Sequence, residues 1–325
     1  MPSHFLAAGV YGCVYHPGYT CKGENMKRKK WVSKLTYDNE ITRNEIEVGK
    51  QLKSCPKGLF VIVEESCTIP YKALPRMKEG CEMIKKGKKY KLLYSKYIES
   101  KELGAYLQPD APFSRIFRCY YQLCELVSVL IDAKVSHHDL HFGNILYTGS
   151  KLMLIDFGLS ILADKLDQAD YRREVFSSYM PEWPWYPVDI HVLSFCVKYG
   201  KLTLDGLSHL LDLYLDNPIF HAFPSLRQSY RERSIEAFLP YVGTDATQLC
   251  EFWHTWDYYD IALRFLYLTQ DYPVPELEPI LFAMLHPDPS KRPSALEIRS
   301  KNQRWIHSID FSRLSKIDKD SKEST

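Results

Sequence analysis

The sequence predicts an α+β chain in two unequal parts, a small strand-rich N-terminal part and a larger helical one. Three observations carry this. Short apolar runs broken by turn residues fill residues 1–98. From about residue 99 the apolar residues recur at three- and four-residue spacing instead. Charge divides at the same place. Residues 1–98 hold nineteen Lys and Arg against nine Asp and Glu, while the remainder holds 23 against 31. The length of 325 residues supports a large core, and 45% apolar with 25% charged residues is a globular composition. The expected organisation is therefore 1–98, 99–308 and a polar, charged tail at 309–325 that reads as disordered.

In chain order, Phe5-Leu6 and Cys13-Val14-Tyr15 flank a small-residue turn. Strands are expected at 31–35, 59–63 and 91–94. Between the first and second of these strands, Glu40 to Leu52 places Ile41, Glu45, Val48 and Leu52 on one helical face. Gly49 interrupts that helix at a cost of about 1 kcal/mol, which predicts a loosely held element. Residues 113–132 carry Ile116, Tyr120, Leu123, Val127 and Leu130 on one face. Helices are expected again at 188–197, 204–215, 260–268 and 277–285, with the aromatics around Trp253, Trp256, Tyr258 and Tyr259 as core.

No apolar run approaches the roughly 18 residues of a membrane span, and no secretory signal opens the chain. Nine scattered cysteines, without a Cys-x-x-Cys pair, predict free thiols in a reducing, cytoplasmic compartment. The basic runs at 27–30 and 85–89 read as solvated turns, with a nucleic-acid surface the less favoured alternative.

Two runs carry chemistry, Val135-Ser136-His137-His138-Asp139-Leu140-His141-Phe142-Gly143-Asn144-Ile145-Leu146 and Leu154-Ile155-Asp156-Phe157-Gly158. The spacing suits phosphoryl transfer. Asp139 can accept the proton of an attacking hydroxyl, and Asn144 and Asp156 offer hard oxygen ligands to Mg²⁺. Here the chain resembles the protein-kinase superfamily. The resemblance spans about residues 5–300 and implies a bilobal fold that binds ATP and Mg²⁺. Residues 7–14, Ala-Ala-Gly-Val-Tyr-Gly-Cys-Val, resemble the kinase Gly-rich loop, with Ala7 at the first glycine. By the resemblance, Ala7, Gly9 and Gly12 lie along the phosphates, Leu6 is a further nucleotide-binding residue, and Val14, Val32 and Leu146 sandwich adenine. Lys34 grips the phosphates and pairs with Glu45. Residues 95–103 resemble the hinge, with the Lys96 carbonyl and Ile98 amide on adenine and Glu102 reaching ribose.

Downstream, Met180-Pro181-Glu182 stands where the family has Ala-Pro-Glu, and Asp189 matches the helix Asp that braces the catalytic loop. The closing run at 285–294 implies that Arg292 pairs with Glu182. These features point to protein substrates, Ser/Thr-directed and basic by complement to the acidic part. Three departures point elsewhere. His138 replaces the Arg before the catalytic Asp, His141 replaces a Lys, and Gly143 precedes Asn144. The pattern also resembles small-molecule kinases acting on aminoglycosides or choline, which is the alternative reading; a catalytically dead scaffold is the third. Residues 9–17 with Cys21, and 31–35, further resemble kinases of large cytoplasmic DNA viruses, which implies host cytoplasm or the virion. The sequence leaves substrate identity and oligomeric state open.

Overall fold

A computed structural model describes residues 3–77, 80–108, 111–270 and 277–308. The tail expected at 309–325 lies outside the described residues. The fold is α+β and divides into two units, Met1–Gln108 with His141–Ser160, and Pro109–Leu140 with Ile161–Thr325. Among the described residues no helix is long and apolar enough to cross a membrane.

The first unit is built on a five-stranded antiparallel sheet. Its strands are β1 (His4–Gly9), β2 (Gly12–His16), β3 (Trp31–Tyr37), β4 (Glu65–Ile69) and β5 (Tyr90–Lys96), in the order β1-β2-β3-β5-β4. Register sets the two faces apart. Val14, Lys34 and Leu93 form one cross-strand row, and Cys13, Leu35, Leu92 and Cys67 form the next, on the opposite face. That second face is covered by Tyr19 and Met26 from the loop after β2, and by Leu74, Met77, Cys81, Met83 and Ile84 from the β4–β5 connection. The Tyr15 and Tyr37 hydroxyls, on β2 and β3, donate to the carbonyls of Met77 and Met83 beneath this layer.

Cysteine pairing corrects the expectation of free thiols for four of the nine cysteines. Disulfides join Cys13 to Cys81 and Cys21 to Cys67, each tying a sheet strand to the covering layer. The partners stand 68 and 46 residues apart, so no local spacing announces them. Cys55, Cys119, Cys124, Cys196 and Cys250 form no disulfide among the described residues. Two disulfides point away from the reducing compartment that the cysteine spacing suggested.

The helix α1 (Glu40–Gln51) follows β3, its first turn capped by Asn39, whose side chain accepts from the Thr42 amide at 3.1 Å. Residues 59–63 do not form the expected strand. Their backbone instead meets a single residue, with Val61 N donating to Leu154 O and Leu154 N to Leu59 O. Gly49 explains the placement, because a Cβ there would stand 3.1 Å from the Val63 carbonyl. The glycine read as a weak point of the helix is what admits this segment. The sheet's fourth strand is Glu65–Ile69 instead, a polar edge strand with one fully buried side chain.

Residues 141–160 belong to the first unit because Ile145–Tyr147 and Leu152–Leu154 pair with each other, and the former also with Lys101–Glu102.

The second unit is helical. The helix Phe113–Asp132 buries Tyr120, Leu123, Val127 and Leu130 as its apolar spacing predicts. Val188–Tyr199, Leu204–Leu215 and Glu278–Met284 occur where expected, while Pro224–Phe238 and Ala295–Ser308 are additional. The helix expected from residue 260 starts earlier, at Trp256, and buries Trp256, Tyr258 and Tyr259.

Candidate functional site

In the first unit the sheet and α1 converge on Lys34. Its Nζ lies 2.9 Å from Glu45 Oε2 and 2.7 Å from Asp156 Oδ1. The apolar face of α1 delivers Glu45, and the turn after Leu152–Leu154 delivers Asp156, whose φ of 61° lies in the left-handed region. One cation between two carboxylates leaves a net charge of −1. Burial opposes the charge on Lys34, but Glu45 and Asp156 outweigh it and hold the pKa above the ordinary lysine value. Burial likewise pushes the Glu45 carboxyl up, against the pull of Lys34 and with the repulsion of Asp156.

Two glycines make this packing feasible. A Cβ on Gly12 would stand 2.7 Å from the Leu35 carbonyl and 3.1 Å from Lys34 Cγ, so the β1–β2 hairpin lies directly on the lysine. A Cβ on Gly158 would meet Ile41 Cγ2 at 2.8 Å. Asn44 adds a link that sequence reasoning missed. Its Nδ2 donates to the Gly158 and Ser160 carbonyls at 3.0 and 2.7 Å, so α1 holds the Asp156 turn as well as Glu45. An Asn one residue before the ion-pairing Glu was the available signal. Phe157 is buried edge-on to Phe60 at 5.9 Å.

The remaining expected residues of this unit spread around Lys34. Leu6, Ala7 and Gly9 lie exposed on the hairpin, and Val14 sits opposite Lys34 in register. Val32 pairs with Ser95 beside Lys96, whose Nζ reaches Glu64 at 3.2 Å. Ile98 accepts from the Ser100 hydroxyl, and Glu102 stands opposite Leu146 in the small sheet. Asn144 is buried, and its carbonyl accepts from the amide of Ile155, the residue before Asp156. The 142–144 turn is capped by His141, whose Nδ1 accepts from Gly143 N.

The second unit holds Asp139, half-buried in the loop after Val135–Ser136. The acid that braces this loop is Asp257, not Asp189. Asp257 accepts from His137 N at 2.7 Å, His138 N at 2.9 Å and Ser136 Oγ at 3.1 Å. It was missed because the helix was expected to start four residues later, at residue 260 rather than Trp256; the signal was an Asp in the first turn of a strongly apolar helix. His138 takes φ 63° and stacks on Tyr186 at 4.1 Å. Burial brings its pKa down to about 3, so the imidazole is neutral. One turn beyond Asp257, Asp260 pairs with Arg264 at 2.7 Å, and the Arg264 guanidinium lies 4.0 Å over the Trp185 ring. Burial raises Asp260 to about 6 against the pull of Arg264, with Asp257 and Asp139 adding repulsion.

Arg292 does not reach Glu182. Its Nη2 donates to Asp189 Oδ1 at 2.7 Å, Nε to His286 O and Nη1 to Thr255 Oγ1. Trp256 Nε1 takes the other Asp189 oxygen at 2.6 Å. Glu182 is exposed, its carbonyl accepting from Asn217. A guanidinium buried this deeply needs an equally buried anion, which Asp189 supplies and an exposed glutamate does not.

No protein-family model matches the chain, and no curated protein matches it.

Proposed function

We propose that the chain is an ATP-dependent protein kinase of bilobal fold, transferring the γ-phosphate of Mg-ATP to Ser/Thr hydroxyls of basic protein substrates. One observation supports this above the others. Lys34 is fixed between Glu45 and Asp156 beneath a glycine hairpin, an arrangement suited to gripping nucleotide phosphates. The substrate oxygen attacks the γ-phosphorus, the bond to the β-phosphate oxygen breaks and ADP leaves. Asp139 takes the hydroxyl proton. The hinge residues Lys96 and Ile98 orient adenine, and Glu102 the ribose.

The metal reading fits the donor chemistry. Asn144 and Asp156 offer one neutral and one anionic oxygen, and the Lys34 cluster carries an excess negative charge. Among the described residues no three His, Cys, Asp or Glu converge as a metal site. So few protein ligands suit Mg²⁺, which keeps waters and phosphate oxygens. When bound, the metal supplies charge neutralisation of the phosphates.

A second reading, a kinase for small hydroxylated molecules, is favoured by one observation. Arg292 pairs with Asp189, so the linkage to Glu182 that argued for a protein platform is absent. The test is incubation with labelled Mg-ATP and a generic basic protein, followed by mapping of the labelled residues. Asp139→Asn and Lys34→Met are each expected to lose at least about 10²-fold in rate. Label appearing only on an aminoglycoside or choline would replace the first reading with the second. Variants as active as the wild type would remove both.

A further inference from the structure

The two disulfides differ in accessibility. Cys13 and Cys81 are buried, whereas Cys21 is exposed and Cys67 half-buried. Tyr94 makes a second distinction. Its hydroxyl lies 3.3 Å from Cys67 Sγ and 3.5 Å from Cys21 Sγ. Disulfide sulfurs carry no proton, so Tyr94 is the donor. Burial, with Glu65 adding to it, raises the Tyr94 pKa to about 12, and the hydroxyl keeps its proton to donate. A leaving sulfur that accepts a hydrogen bond departs more readily as thiolate.

We propose that Cys21–Cys67 is an exchange-active disulfide, opened by a dithiol oxidoreductase, and that its state sets the order of β3 at Lys34. The coupling to nucleotide rests on the kinase reading above. A thiolate of the reductant attacks Sγ of Cys21, the more exposed residue of the pair, the Cys21–Cys67 bond breaks, and Cys67 leaves as thiolate beneath the Tyr94 hydroxyl and takes up a proton. The reductant's second thiolate then attacks the mixed disulfide and releases Cys21. Two electrons pass, leaving two protein thiols and an oxidised reductant.

The path to Lys34 is short. Tyr19 N donates to Ser33 Oγ at 2.9 Å, and Gly18 N to Trp31 O at 3.1 Å, so the loop holding Cys21 is bonded to the residues leading into Lys34. Gly18 also packs on Ser33, where an added Cβ would stand 2.8 Å from the Ser33 amide. With Cys21 released, nothing covalent holds this loop to β4.

The test uses the full chain purified without reductant and then exposed to a reduced thioredoxin-type protein. Differential alkylation with mass spectrometry follows each disulfide, hydrogen exchange follows residues 31–37, and calorimetry follows Mg-ATP. Cys21–Cys67 should open at least tenfold faster than Cys13–Cys81. Tyr94→Phe should slow that opening at least threefold and leave Cys13–Cys81 unchanged. Opening should speed exchange at 31–37 and weaken Mg-ATP at least threefold, both reversed on reoxidation, and a Cys21→Ser/Cys67→Ser variant should behave as permanently open. Equal opening rates, Cys21 and Cys67 recovered as thiols, or exchange unchanged on opening would each overturn the proposal. If exchange responds but the oxidised protein binds no Mg-ATP, the kinase reading fails and the redox coupling stands. If the oxidised protein binds and opening changes affinity less than threefold, the coupling to nucleotide fails instead.

Discussion

The Arg292 guanidinium bonds the Asp189 carboxylate at 2.7 Å, with both side chains sealed from solvent. Breaking such a pair from one side leaves a buried charge without a partner, at about 3–5 kcal/mol. Arg292→Met and Asp189→Asn should each lower urea stability by that order. Glu182→Gln, at an exposed position, should change it by less than about 0.5 kcal/mol. Equal losses for Glu182 and Asp189 would contradict the pairing.

Gly12→Ala tests the contact of the hairpin with Lys34. The added methyl would overlap the Leu35 carbonyl and press on the lysine side chain, so β2 must lift. Mg-ATP affinity should fall at least about tenfold, the equivalent of 1.4 kcal/mol. Gly9→Ala, with open space around its Cβ, should have a much smaller effect. Calorimetric titration of both variants decides it.

Acid should destabilise the protein through its buried histidines. Burial lowers His138 to about 3 and His191 to about 4, both below the ordinary value near 6.5. Below pH 6.5 the unfolded chain binds protons that the folded chain refuses, so stability present above that pH is lost as pH falls. Each histidine contributes a slope of about 1.4 kcal/mol per pH unit. Asp260, raised to about 6, is protonated when folded and ionised when unfolded between about pH 4 and 6, so it opposes this slope there. Asp260→Asn should therefore steepen the acid loss by about one proton. Urea melts between pH 4.5 and 7 measure it, and a shallower variant slope would refute the assignment.

The same neutral His138 bears on regulation. Stacked on Tyr186 and uncharged, it cannot hold a phosphate on the segment bearing Tyr171, Ser177, Ser178 and Tyr179 as an arginine fork would. Phosphatase treatment, checked by mass spectrometry, should leave the initial transfer rate within tenfold. A larger drop restored by rephosphorylation at one of those hydroxyls would reverse this conclusion.

What the sequence made legible follows the strength of its local signals. Residues 113–132 form a helix with the expected bounds because five apolar residues repeat along one face. Glu45 was separable from Glu47 because only Glu45 shares the face of Ile41 and Val48. Where the local pattern is weak, the reading failed. The β4 strand, Glu-Ser-Cys-Thr-Ile, is polar along most of its length and lost out to the more apolar 59–63 run. The helix Pro224–Phe238 carries no apolar stripe in its sequence. Cysteine partners, Asp257 and the anion for Arg292 are matters of tertiary proximity, on which spacing along the chain is silent.

Because the sheet of the first unit is covered on the face opposite Lys34, adjacent residues of β3 serve different masters. Ser33 and Leu35 answer to the stapled layer, and Lys34 between them to Glu45 and Asp156 on the other side. Inserting or deleting one residue within β3 would exchange the two sets, sending the lysine under the layer and a leucine toward Glu45 and Asp156. In the descent of this chain the strand should therefore accept substitutions far more readily than changes of length. Its loops, by contrast, are where lineages can differ in residue number.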